Sequence, residues 1–259
     1  MLTVGELEQA LFEIAPRECV QDWDNVGLLA GRPGREVRRV LVALDITEEV
    51  VEEAVHWGAD LIVSHHPVVF HGQKSVTDRD VVGGRLLRLI EGNLSAICMH
   101  TNLDIAEGGV NDLLAQALGI QNPERFTGEG VGRCGWRAEP MALPEFIRLV
   151  SRTLGCNGVR YADAGKPVHR VAVGGGACGE FEDAAIYAGC DTFVTADLSY
   201  HQFVDAKSKG INLIDAGHFP TEDLVCKEIV DYLSARFPGV DIRKSASHRE
   251  VIQYYVEGE

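Results

Sequence analysis

Short apolar runs punctuate the chain at 40–44, 61–64, 94–99, 171–173, 192–195 and 211–215. Runs of this length, bounded by glycine or polar residues, predict buried strands. Amphipathic stretches lie between them. Thr3-x-x-Glu6 reads as a capping box opening a helix with Leu7, Ala10, Leu11 and Ile14 on one side, stopped before Pro16. Two further helices, one after 44 and one near 180–188, are each closed by a glycine, Gly58 and Gly189. Others are predicted over 110–118 and 223–236, and over 145–154 with Pro144 at its start. The tail, 239–256, reads as two short strands.

The pattern repeats. Residues 39–67 and 170–198 align without a gap at an offset of 131, and Arg39/Arg170, Val40/Val171, Val42/Val173, Glu49/Glu180, Ala54/Ala185, Gly58/Gly189, Asp60/Asp191 and Val63/Val194 coincide. Each copy is a β-α-β unit. The likeness resumes at an offset of 118 in His100-Thr101-Asn102-Leu103-Asp104 and His218-Phe219-Pro220-Thr221-Glu222, both His-x-x-x-acid between a strand and a helix. An internal duplication follows. The expected fold class is α/β, with two similar lobes, mixed sheets flanked by helices and a metal site between the lobes. The first lobe is placed at 1–121 and the second at 122–259, with a C-terminal tail able to pack back on the first. No linker-like stretch separates them, so the lobes are expected to be packed rather than tethered.

Ligand sites in doubly wound α/β structures gather at the carboxyl ends of strands. Here those ends deliver Ser64-His65-His66-Pro67, then His100 and Asp104, then His218 and Glu222. The counterpart of His65-His66 in the second copy is Ala196-Asp197, so one asymmetric site is expected instead of two. Adjacent histidines on a regular strand point to opposite faces, but before Pro67 the chain is leaving the sheet and both can serve one site. His65, His66, Asp104, His218 and Glu222 offer three imidazoles and two carboxylates, too many for one tetrahedral catalytic ion. Shared between two divalent ions they match hydrolytic two-metal centres. Mixed nitrogen and oxygen donors suit zinc, iron, manganese, cobalt or nickel and disfavour calcium. His100 is expected as a supporting donor or proton carrier.

Composition narrows the classes. The 259 residues carry 24 basic against 39 acidic side chains, a net charge of −15, which argues against a large nucleic-acid footprint. Apolar residues make up 46%, ample for a core, and no run approaches the length that spans a bilayer. The first residues carry Glu6, Glu8 and Glu13 and no basic stretch, so no signal peptide is read there. The seven cysteines are scattered with no C-x-x-C pair, which reads as reduced thiols in a cytoplasm.

Taken in order, Trp23-Asp24-Asn25-Val26-Gly27-Leu28, Ser64-His65-His66-Pro67, His100-Thr101-Asn102-Leu103-Asp104 and Gly217-His218-Phe219-Pro220-Thr221-Glu222 resemble the YbgI/YqfO (Nif-three-like) family, whose members are named GTP cyclohydrolase 1 type 2 homologues. The likeness covers essentially the whole chain. It implies a dinuclear metal centre with His65, His66, Asp104 and His218 as ligands and Glu222 bridging both ions. It also implies a homohexamer built as a trimer of dimers. Some relatives carry a large extra domain between the halves, for which 120–167 is too short; Phe219-Pro220 stands where many members have an aromatic and a small residue.

The functional expectation is a metal-dependent hydrolase acting on a small anionic substrate, with His100 or His201 moving protons; the family label points to a purine nucleotide, GTP. The rival expectation is a ring-shaped binding, scaffold or metal-storage protein without catalysis. Three features have weaker readings. Gly174-Gly175-Gly176 is either a tight strand-to-helix turn or an anion cradle. Asp45 is either a support for the site or a helix cap. Trp23 to Leu28 reads as a structural turn whose Asp and Asn bond local backbone.

Overall fold

The computed structural model describes residues 1–255. In chain order it contains α1 (Val4–Ile14), β1 (Gly27–Ala30), β2 (Arg39–Ala43), α2 (Glu48–Trp57), β3 (Leu61–Ser64), α3 (Val81–Glu91), β4 (Ser95–Cys98) and α4 (Thr101–Ile105). There follow α5 (Val110–Ala117), β5 (Gln121–Glu124), β6 (Arg133–Met141), α6 (Leu143–Leu154), β7 (Arg160–Ala162), β8 (Val168–Val173), α7 (Glu182–Tyr187) and β9 (Thr192–Thr195). The chain continues through α8 (Tyr200–Lys209), β10 (Asn212–Asp215), α9 (His218–Glu222), α10 (Leu224–Arg236) and β11 (Asp241–Lys244). The Thr3–Glu6 capping box forms as expected, and Gly58 closes α2 in the left-handed region at φ 72°.

The fold is mixed α/β with two mixed sheets. In the first the order is β1-β4-β3-β2-β11, and in the second β5-β6-β8-β9-β10-β7. Each sheet has a parallel centre, β2-β3-β4 and β8-β9-β10, and each carries an antiparallel strand beside the last of these, β1 on β4 and β7 on β10. The repeat is visible in single hydrogen bonds. Asp60 Oδ2 accepts the amides of Arg38 and Arg39 at 2.8 and 3.1 Å. Asp191 Oδ2 accepts those of His169 and Arg170 at 3.0 and 2.8 Å. The same carboxylate therefore fixes the entry to the same strand in both halves.

Two compact units are present, one of Met1–Ala106 with Val225–Arg249, the other of Glu107–Leu224 with the tail from Glu250. They differ from a division at residue 121 for two reasons. β11 pairs in parallel with β2, from Asp241 opposite Arg39 to Lys244 opposite Val42, and so draws the end of the chain into the first unit. Leu114 and Ala115 of α5, and Leu118 just after it, pack in the core of the second. The first core joins Leu41 and Ile62 of the sheet to Val50, Val51 and Leu89 of α2 and α3. In the second unit alternate residues of β8 serve opposite faces: Val171 and Val173 meet Phe146 and Val150 of α6, while Ala172 meets Ala185 and Ala206 of α7 and α8. Helices on both faces are why these strands read as unbroken apolar runs. Fully buried Phe146 and Phe193 anchor the two layers, each burial stabilising by about 1.5–3 kcal/mol.

Two expected elements differ. The helix near 180–188 begins as a 3-10 turn, Gly179–Phe181, and no side chain caps its start. The tail forms one strand, β11; 245–255 is irregular, and residue 256 lies outside the described residues.

Candidate metal centre

In the first unit, β3 ends at Ser64 and the chain turns away from the sheet through His65 and His66. The turn is braced on both sides. Ser64 Oγ donates to the His66 carbonyl at 2.7 Å, and the Cys98 thiol donates to the His65 carbonyl at 2.9 Å. Burial, with the Asp24 and Asp104 charges, pushes the Cys98 thiol up, which keeps it protonated for that role. His100 caps the start of α4, and Asp104 lies on that helix. Ligand atoms of His65, His66 and His100 all lie within 4.8 Å of one another. Ring centroids are 4.9 Å apart for His65 and His66, 5.2 Å for His65 and His100, and 5.6 Å for His66 and His100. Asp104 Oδ1 lies 3.6 Å from His65 Nε2.

The imidazoles of His65, His66, His100 and His218 are each held at Nδ1 by a group that can only accept a hydrogen bond. His65 Nδ1 meets the Met99 carbonyl at 2.9 Å, His66 Nδ1 meets Asp45 at 2.8 Å, and His100 Nδ1 meets Asp24 at 2.8 Å. In the second unit His218 Nδ1 meets Asp197 at 2.7 Å. A carbonyl or carboxylate partner places the proton on Nδ1, so in the neutral ring Nε2 carries the lone pair. Metal-binding histidines are oriented in this way. The donor set of the first unit, His65, His66 and His100, therefore fits a divalent metal ion and could hold one.

The supporting carboxylates are tuned to remain ionised. Burial raises Asp24, but hydrogen bonds from His100 and Thr101 outweigh it and hold the group well below its usual 3.8. Asp45 follows the same logic: burial raises it, while His248 and His66 bring it down. Asp45 thus supports the site, and the cap of α2 is Thr47. Asp24 bonds His100 and Thr101 rather than only its local turn.

In the second unit α9 carries His218 and Glu222 one turn apart, with His218 Nε2 3.0 Å from Glu222 Oε2. Sheet register places Ser95 and Asn212 at equivalent positions, opposite Leu61 and Thr192. The structural offset is therefore 117, and the sequence likeness at 118 is one residue out of step: His100 and Gly217 are the two cap residues, while His218 opens its helix. The glycine loop is not an anion cradle. The Gly175 amide donates to Asn111 Oδ1 at 2.9 Å and the Gly176 amide to Thr221 Oγ1 at 3.0 Å. Its use is space, because a Cβ on Gly176 would collide with Glu222 Oε1. His201 is exposed on α8 with its ring 5.4 Å from that of Tyr200, and it joins no His/acid group among the described residues. Sequence reasoning missed Asp24, Asp197 and His248 as supports. An acid 76 positions from its imidazole leaves no periodic signal.

No helix of the described residues is long and apolar enough to cross a membrane. The chain is 33% identical over 228 residues to a Clostridium perfringens protein named GTP cyclohydrolase 1 type 2 homolog, covering 85% of this chain and 87% of that one. It is 36% identical over 234 residues to a Streptomyces coelicolor protein of the same name, covering 86% and 82%. A crystal structure of a Staphylococcus aureus hypothetical protein superposes with a TM-score of 0.90 at 28% identity, covering 98% of this chain and 99% of that one. A family model described as Duf34/NIF3 (NGG1p interacting factor 3) matches residues 2–250, and the chain belongs to that family.

Proposed function

We propose that the protein is a metal-dependent hydrolase of small anionic substrates, with a purine nucleotide such as GTP as the first substrate class. The observation that carries this reading is the common orientation of His65, His66, His100 and His218, each pinned at Nδ1 by an acceptor. His65, His66, Asp104, His218 and Glu222 are the proposed ligands of two divalent ions, and a homohexamer is the proposed assembly. Such ions supply Lewis acidity and lower the pKa of water. The chain's own groups do the rest. His100 Nε2 accepts or returns a proton, and the ionised Asp24 carboxylate at Nδ1 stabilises the imidazolium that results. Asp45 and Asp197 keep His66 and His218 from rotating out of position. The nucleotide class is supported by the relatives' printed name, GTP cyclohydrolase 1 type 2 homolog.

The test is a turnover screen of purified, metal-loaded protein against GTP, phosphoesters and cyclic amides, with Glu222→Gln and His66→Ala beside wild type. Turnover that both substitutions abolish is expected. Metal bound by wild type with no turnover of any compound would replace the hydrolase reading with a metal-holding or scaffold role.

A further inference from the structure

Trp23 and Phe70 are 60% and 40% exposed, yet both stand on a clamped backbone. Next to Trp23, Asp24 takes hydrogen bonds from His100 Nδ1 at 2.8 Å and from the Thr101 amide and hydroxyl at 3.1 and 2.6 Å. Asn25 Nδ2 donates to the Val69 carbonyl at 2.5 Å and so ties the segment before Phe70 to the same tripeptide. The two rings lie 5.8 Å apart with planes 57° from each other, and the His100 ring lies 6.2 Å from Trp23 and 6.1 Å from Phe70. A single exposed aromatic needs no explanation. Two that meet at a corner, with the edge of an imidazole triad at its base, are a different matter.

We propose that Trp23 and Phe70 form a stacking wall for a planar heteroaromatic ring of the substrate, a nucleobase or a related heterocycle, seated beside His100. The assignment rests on the imidazole triad being the reactive centre. A flat ring stacks through its face on an indole or phenyl and offers polar atoms at its rim. That combination suits a corner whose walls are apolar and whose base is an imidazole. An aliphatic chain would meet the walls but leave the imidazole with nothing to bond. Stacking is tolerant of base identity, so the wall selects for a ring, while polar groups select which ring.

The experiment is calorimetric binding of GTP, of adenosine and of ribose 5-phosphate, to metal-loaded and metal-free protein, for wild type, Trp23→Ala, Phe70→Ala and Trp23→Phe. Metal content is read by mass spectrometry and mass in solution by light scattering. GTP and adenosine are expected to bind about tenfold to a hundredfold more weakly to each alanine variant. Trp23→Phe is expected to recover most of the loss, with ribose 5-phosphate binding, metal content and solution mass unchanged. Unaltered GTP and adenosine binding by both alanine variants would overturn the wall, and so would a change of solution mass, which would assign the rings to a contact with a second copy. Adenosine binding that depends on Trp23 in a protein that hydrolyses nothing would keep the wall and remove the hydrolase; hydrolysis with unaltered binding in the variants would do the reverse.

Discussion

Asp197 Oδ2 lies 2.7 Å from His218 Nδ1. In the duplicated chain Asp197 is the counterpart of His66, so the position that delivers an imidazole in one half delivers, in the other, the carboxylate that orients one. Asp45 and Gly176 are a second such pair. Asp45 holds His66, whereas Gly176 leaves open the space that Glu222 fills. The two halves keep the same strands, and equivalent positions at the strand ends carry different side chains.

Asp197→Ala is therefore expected to weaken metal binding by about 10- to 100-fold, because the imidazole proposed as a ligand, His218, loses its orienting partner. The fold should barely respond, since the Asp197 side chain is 45% exposed. Asp197→Asn should restore part of the affinity: its amide oxygen still accepts from Nδ1, and asparagine tolerates the φ of 54° at this position. Metal titration followed by calorimetry, with thermal melts of the metal-free proteins, checks both statements.

Gly176→Ala should act on fold and site together. Its φ of 63° disfavours any side chain, costing about 1–2 kcal/mol, and the new methyl would displace Glu222. A lowered Tm with loss of metal binding is expected, whereas Gly165→Ala, at φ 74° with nothing near its Cβ, should lower the Tm and leave metal binding intact. Equal metal affinity in the two variants would show that Gly176 gives Glu222 no needed room.

Much of this was legible in the sequence because it is local or repeated. The β-α-β units, the capping box at Thr3 and the histidines at strand ends all follow from short-range pattern. What was hidden is the layer behind the histidines. Asp24 reaches His100 across 76 positions, and Asp197, which stands where an imidazole is missing from the second copy, holds the His218 ring in place. The glycine loop permits a tight turn or an anion cradle on its sequence alone, and only packing shows that the Gly175 and Gly176 amides are taken up by Asn111 and Thr221. Such roles depend on which residues tertiary packing brings together, and spacing along the chain does not encode them.

The duplicated carboxylates give a test that involves no metal. Asp60 and Asp191 each bind two strand-entry amides, so alanine at either should cost about 1–3 kcal/mol. They share no partner, and the double variant should lose the sum to within about 0.5 kcal/mol. Urea unfolding followed by fluorescence and by circular dichroism measures this. Probe-dependent midpoints in a single variant would show one unit unfolding ahead of the other.

Asp24 contributes to the acid limb of stability. Its folded-state pKa is below the unfolded value of about 3.8, so as pH falls protons bind the unfolded chain first. The stabilisation is complete above about pH 5, erodes as pH passes the unfolded value, and is gone once pH falls below the depressed folded one. Asp24→Asn carries no such group. In chelator-treated protein the stability difference between wild type and Asp24→Asn should therefore be largest near pH 5 and shrink steadily toward pH 2.5, read from urea midpoints at each pH. A difference that stays constant across that window would mean that the carboxylate facing His100 and Thr101 gains nothing from being ionised, and the orientation assigned to His100 would lose its support.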